Sequence, residues 1–316
     1  MKKKHSAAPK IIVVGSANTD MVVQTPRIPR PGETLLGGRF TLASGGKGAN
    51  QAVAAARAGG HVTFICRLGR DIFGDRCLKG FQEDGLETQW IQRDAKEPSG
   101  VALIAVAKDG ENSIVVAPGA NGRLSRQDVL KAAPVFSTAK VVLVQLEVPM
   151  DTVQAAIQHA CKAGAIVILN PAPAQPLTDS ILKRVSILTP NETEAEHLTG
   201  IKVENPKTAA RAAEVLRSKG VKTVIVTLGA HGVWVSAPDI STHLPGFKVQ
   251  AVDTTAAGDV FNGALAVALA EGRPLREAVR FAQAAAAISV TRLGAQPSAP
   301  TQREIERFLK QHARQS

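Results

Sequence analysis

Residues 10–20 read KIIVVGSANTD, and this stretch sets the fold. Ile11, Ile12, Val13 and Val14 are four β-branched residues in a row. A half-wet strand would alternate apolar and polar side chains, whereas an unbroken apolar run needs cover on both faces. Gly15 ends the run. Asn18 and Asp20 then stand just beyond the carboxyl end of the strand, where open α/β sheets hold their ligands.

The same pattern recurs along the chain. Extended apolar segments are expected at Val62–Arg67, Val141–Leu146, Ile166–Asn170, Ile187–Thr189 and Thr223–Thr227. Between and after them lie helical patterns. Gly48–Ala58 closes at Gly59-Gly60, and Asp75–Asp84 stops at Gly85. Asp151–Ala163 starts with Asp151 as a cap and closes at Gly164. Asn191–Thr199, Thr208–Ser218, Ala257–Ala270 and Leu275–Val290 complete the set. Buried strands alternating with helices predict a doubly wound, mostly parallel α/β sheet flanked by helices. Two segments depart from the alternation. Thr25–Phe40 carries Pro26, Pro29, Pro31, Gly32, Gly37 and Gly38 and cannot be a helix. Gly100–Val116 reads as a hairpin turning at Lys108-Asp109-Gly110. Both are expected to leave the core and form a small β-sheet lid, at about 25–40 and 100–116. The expectation is a single α/β domain over 10–316, preceded by a basic tail over 1–9.

Composition narrows the function. The 316 residues are 44% hydrophobic and 21% charged, ordinary globular usage. The longest apolar runs, Val101–Ala107 and Ala264–Ala270, are far shorter than the roughly 20 residues of a membrane-spanning helix. Cys66, Cys77 and Cys161 show no CxxC spacing, which fits a reducing, cytoplasmic compartment. The net charge of +11 suggests nucleic acid at first sight, but +4 of it lies in residues 1–10 and +2 in residues 301–316. With no tyrosine and 3% aromatics, stacking platforms are not expected. Neither nucleic acid nor membrane is expected as a partner.

Several strand ends carry polar or small residues. Asn18 and Asp20 suit the hydroxyls of a small ligand, or an Asx-turn pair. Ser44-Gly45-Gly46-Lys47-Gly48-Ala49-Asn50 opens a helix, so its N–H groups face a ligand or merely start the helix. It fits neither the Walker A pattern nor GxGxxG. Glu147 follows the VVLVQL strand, either as a ligand or as a solvated loop acid. Asn191 and Glu194 are three apart at a helix start and suit a metal-water or phosphate network, or helix capping. The loop Thr227-Leu228-Gly229-Ala230-His231-Gly232 suits a nucleotide or a glycine turn. The most telling segment is DTTAAGDVFNG, residues 253–263. The N–H groups of Ala256, Ala257, Gly258 and Asp259 can converge at a helix start as an anion hole. Asp259 in that first turn is placed to accept a hydroxyl proton as the oxygen attacks a γ-phosphate.

At this point a resemblance becomes visible. GGKGANQAVAAARAGG and DTTAAGDVFNGAL resemble the two signature regions of the ribokinase-type (PfkB) carbohydrate kinases. GSANTD, LNPAPA, PNETEAE, VTLGAHGVW and VTRLGAQPS match in order, over nearly all of residues 10–310.

The resemblance implies ATP-dependent phosphorylation of D-ribose at O5, with Asp259 as catalytic base. It implies a sugar site of Asn18, Thr19, Asp20, Gly46, Lys47, Gly48, Ala49, Asn50, Glu147 and Asp259. ATP would lie along Asn191, Thr227–Gly232, Gly258, Asp259 and Gln283, although Gln283 stands where histidine or asparagine is frequent. Glu194 with Asn191 would serve the Mg²⁺ network. K⁺ would be held by Asp253, Thr255, Ser289, Arg292, Gly294 and Ser298, several through carbonyls. It also implies a homodimer paired through the lid. A kinase of 2-deoxyribose or fructose is the alternative within the class, and a non-catalytic sugar-responsive regulator is the alternative outside it.

Overall fold

The computed structural model describes residues 9–313, so the tail expected over 1–9 falls almost wholly outside the described residues. The chain forms strands β1 (Lys10–Val14), β2 (Asn18–Thr25), β3 (Arg39–Gly45), β4 (His61–Ile65), β5 (Arg67–Gly69), β6 (Gln92–Asp94) and β7 (Gly100–Ala107). It continues with β8 (Asn112–Ala117), β9 (Val141–Val144), β10 (Ile166–Leu169), β11 (Ile187–Leu188), β12 (Thr223–Thr227), β13 (Val233–Ala237) and β14 (Ile240–Leu244).

Eight of these strands build the main sheet in the order β14-β13-β12-β11-β10-β9-β1-β4. The run from β4 to β12 is parallel, and β13 and β14 are antiparallel additions at one edge. The strand Ile11–Val14 is buried on both faces, as its unbroken apolar run requires. Ile11 and Val13 enter one core and Ile12 and Val14 the other. The helices Lys47–Arg57, Ala257–Ala270 and Leu275–Ser289 line the first core, and Met150–Lys162 and Pro206–Ser218 line the second. From Asp259 to Ala268 the helix Ala257–Ala270 is buried at every residue, the mark of a helix at the centre of a core rather than on its surface.

From β1 the chain passes to β4 on one side and later to β9 on the other. The crevice beyond the carboxyl ends of β1 and β9 is therefore the switch point of the sheet, where doubly wound folds bind ligands.

The lid is a separate four-stranded sheet in the order β3-β2-β7-β8. The hairpin of β7 and β8 is as expected, with Gly110 at φ 90° in its turn. The rest of the lid corrects the sequence reading. Of the lid segment expected at about 25–40, residues 26–38 are the connection between β2 and β3, and the paired strands lie on either side of it. Asn18 and Asp20 thus begin a lid strand rather than a loop after β1. Asp151 does not cap its helix, which starts at Met150 after Pro149. The helix Gln302–His312 and strands β13 and β14 are additions to the elements expected from the sequence, although Thr301 and Glu304 form a capping box at the start of that helix. Among the described residues no helix is long and apolar enough to cross a membrane.

Candidate active site

The end of β1 and the start of the helix Lys47–Arg57 are stitched together through Ser16. The Ser16 hydroxyl donates to Glu147 Oε2 at 2.5 Å and accepts from the Gly48 N–H at 3.3 Å, while the Ser16 carbonyl accepts from the Ala49 N–H at 2.8 Å. The Lys47 N–H also donates to Glu147 Oε2, at 2.9 Å. This junction needs glycine. Gly46 adopts φ 87°, and a Cβ there would sit 2.7 Å from the Asn18 nitrogen. A Cβ on Gly45 would fall within 2.4 Å of the Asp20 carboxyl atoms.

Strand alternation sorts the residues at the start of β2. Asn18 and Asp20 share one face. Thr19 is turned away and faces Cys77, so its side chain does not join the others, contrary to the sequence reading. Gly48 and Ala49 likewise contribute structural contacts to Ser16 rather than free donors. Asn18 is held by Asn121, whose Nδ2 donates to Asn18 Oδ1 at 2.7 Å. Asn121 is itself buried and clamps both backbone polar groups of Ala17.

Asp259 lies in the first turn of its helix, 6% exposed. Asn50 Nδ2 donates to its Oδ2 at 3.0 Å and Gln51 Nε2 to its Oδ1 at 2.9 Å. Burial pushes the Asp259 carboxyl above its ordinary pKa, against the pull of Lys47 and the two amides. Asp20 is raised to about 6, by burial first and then by the negative charges of Glu147 and Asp259. Burial draws the Lys47 ammonium down, but Asp259, Glu147 and Glu194 together hold it above its usual value. One lysine among converging carboxylates makes a pocket rich in acceptors, suited to hydroxyl donors.

The helix start that carries Asp259 leaves backbone donors unpaired. Ala256 is the one non-glycine residue with positive φ among the described residues, at 59°. Its left-handed turn leads the chain into the helix. The Ala257 N–H turns back on the Thr254 carbonyl at 3.2 Å. That leaves Gly258 and Asp259 as donors the helix itself cannot satisfy, and a Cβ on Gly258 would meet open space.

Asn191 and Glu194 close a reciprocal capping box on the helix Glu192–Thr199. Asn191 Oδ1 accepts from the Glu194 N–H at 2.8 Å, and Glu194 Oε2 from the Asn191 N–H at 3.0 Å. The capping reading is thus real, and Glu194 also faces Lys47 and Asp259. Residues 227–232 form a tight turn with Ala230 and His231 exposed and Leu228 buried. Gln283 is buried with its amide engaged by the protein: it donates to the Leu244 carbonyl at 3.0 Å and accepts from Arg280 at 3.0 Å. It braces the turn after β14 and holds no free donor toward a base.

Just before the turn at Ala256, Asp253 accepts from the Thr255 N–H at 2.9 Å and the Gly294 N–H at 2.8 Å. The Ser289 and Ser298 hydroxyls turn inward to helix carbonyls, and the Arg292 side chain goes to Glu304. The side chains of these residues are therefore engaged within the protein. Among the described residues no group of three or more His, Cys, Asp or Glu could hold a metal ion.

Sequence reasoning overlooked Ser16, Gln51, Asn121, Gln145 and Asn170. Gln145 interrupts an otherwise apolar strand, and Asn170 closes one before Pro171. These were the available signals. Gln51 sits in an alanine-rich helix and Asn121 in a short turn, with nothing to mark them.

Comparison with known proteins places this arrangement. The family model described as pfkB family carbohydrate kinase matches residues 8–302. The chain is 50% identical to a ribokinase of Haemophilus influenzae over 300 residues, covering 95% of this chain and 98% of that protein. It is 38% identical to a deoxyribokinase of Salmonella typhi, covering 95% and 98%. A solved structure of Arabidopsis thaliana ribokinase complexed with ribose and ATP superposes with a TM-score of 0.89 at 35% identity, covering 96% of this chain and 99% of that one. Matched along nearly its whole length by the family and by such relatives, the chain belongs to the pfkB family of carbohydrate kinases.

Proposed function

We propose that the protein transfers the γ-phosphoryl group of ATP to O5 of D-ribose, giving D-ribose 5-phosphate and ADP. The observation that carries this reading is Asp259, a buried carboxylate oriented by two amides at a helix start with unsatisfied N–H donors. The polar pocket of Asn18, Asp20, Asn50 and Glu147 orients the sugar, and Lys47 balances its charge. Asp259 accepts the O5 proton as O5 bonds to the γ-phosphorus, and the bond from that phosphorus to the β,γ-bridging oxygen breaks, leaving ADP. The N–H groups of Gly258 and Asp259 meet the developing negative charge. ATP lies between this turn and the loop 227–232, with Asn191 and Glu194 beneath it.

Mg²⁺ would neutralise the phosphate oxygens, reached from Glu194 through water. K⁺ would sit among the carbonyls near Asp253, Thr255, Ser289, Arg292, Gly294 and Ser298, where a fixed positive charge supports the neighbouring anion-binding turn. The catalytic unit is one α/β domain with the lid inserted as β2, β3, β7 and β8. The lid excludes water from the sugar, limiting loss of ATP to hydrolysis. A homodimer forms through the lid: every residue of β8 is exposed, including Ile114, Val115 and Val116, and such an edge seeks a partner. Three free cysteines support a cytoplasmic setting.

The test is turnover of a sugar panel with ATP and Mg²⁺, with and without K⁺. Ribose is expected to be the best substrate and K⁺ to accelerate it. No turnover of ribose would refute the reading. The deoxyribokinase relative makes 2-deoxyribose the second reading, and a higher kcat/KM for it than for ribose would establish that instead.

A further inference from the structure

Asp259 rests on a chain of buried amides that runs away from the pocket. Gln51 Nε2 has two hydrogens and both are used, one on Asp259 Oδ1 at 2.9 Å and one on Asn170 Oδ1 at 3.0 Å. Gln51 Oε1 accepts from Gln145 Nε2 at 2.6 Å. Asn170 is oriented in turn by donating Nδ2 to the Thr189 carbonyl at 3.2 Å. The amide of Gln51 therefore has one orientation. Flipped, its oxygen would face two acceptors, Asp259 and Asn170, and its nitrogen would face the nitrogen of Gln145.

This arrangement has a cost that packing alone would avoid. Gln51 and Gln145 are both 0% exposed. Gln145 Oε1 is buried without a hydrogen-bond partner among the described residues, pressed against Gly15, where a Cβ would lie 2.1 Å from it. An apolar residue would fill the end of β9 without leaving that oxygen unpaired. What Gln145 does contribute is the donor that fixes Gln51. We infer that Gln51, oriented by Gln145 and Asn170, is a positioning residue that holds the Asp259 carboxylate in one orientation toward the hydroxyl it deprotonates. The inference rests on the reading of Asp259 as the base. Donation to a carboxylate favours its charged form, so the same contact opposes the effect of burial on Asp259.

Two variants test this, Gln51→Glu, which is isosteric, and Gln145→Met, which removes the donor behind Gln51. kcat and both KM values are measured from about pH 5 to about pH 9. For Gln51→Glu, kcat is expected to fall about ten- to a hundredfold at neutral pH, with its acid limb moving up by about one pH unit. KM should stay within about threefold. Gln145→Met should move the limb the same way by less. Adding Gln51→Glu to Asp259→Asn should cost nothing further. An unmoved acid limb, an equal loss in the Asp259→Asn background, or failure of both variants to fold would overturn the inference. Near-normal kcat in Asp259→Asn alone would instead refute the base itself, which separates the two claims.

Discussion

Asn121 Nδ2 donates to Asn18 Oδ1 at 2.7 Å, across 103 positions of sequence. The contact consumes the Asn18 oxygen and leaves its Nδ2 as the group presented to the pocket. Under the proposed function, Asn18 would act as a donor toward the sugar, in a pocket otherwise rich in carboxylates. Gly100 makes room for the pair, since a Cβ there would lie 2.2 Å from Asn121 Nδ2 and 2.3 Å from Asn18 Oδ1.

Asn121→Asp replaces that donor with an acceptor and favours the reversed Asn18 amide. KM for the sugar is expected to rise roughly tenfold or more, in keeping with a lost hydrogen bond and a mispaired polar group. KM for ATP should barely change. Initial rates with each substrate varied in turn check this, and an unchanged sugar KM would show that the Asn18 orientation is immaterial.

Asp259→Asn keeps the size of the side chain and removes the base. kcat is expected to fall by about 10²- to 10⁴-fold, while sugar binding persists. Isothermal titration with the sugar and steady-state assays separate the two effects.

Asp20 carries a cost in stability. Its pKa of about 6 in the folded protein exceeds the ordinary 3.8, so between those values the folded state holds the proton more tightly than the unfolded chain. Stability therefore falls as pH rises through that window, and the ionised Asp20 destabilises the fold above it. Asp20→Asn should raise Tm by roughly 2–4 °C at pH 8, with the gain vanishing as pH falls toward 4. Sugar affinity should drop in the same variant. Thermal unfolding across pH provides the check, and a gain that grows toward acid would have the wrong sign.

The lid is expected to mediate self-association. Ile114 is 54% and Val115 64% exposed, and a charge on that strand is incompatible with burying it against a second copy. Ile114→Glu should shift a dimer to a monomer in sedimentation velocity, with sugar KM increased because the lid loses its support. A wild-type chain that sediments as a monomer would refute the dimer.

The layered core follows from the local pattern of the chain. Ile11–Val14 and Val141–Val144 are apolar at every position, and only a strand covered on both faces satisfies that pattern. The helix Ala257–Ala270 was legible to the residue because small residues lead directly into a long apolar run. The placement of Asp259 in the first turn was legible for the same local reason. Its surroundings depend on long-range packing. Asn50, Gln51, Gln145 and Asn170 come from two helix positions and two strand ends far apart in sequence, and the polarity of a buried amide depends on partners no local pattern encodes. The lid shows the same division. Its hairpin at Gly100–Val116 follows from a turn and two apolar runs, whereas the pairing of β2 with both β3 and β7 is long-range. Strand pairing is set by which edges meet in space, and that turned Asn18 and Asp20 from residues after a strand into the first residues of the lid.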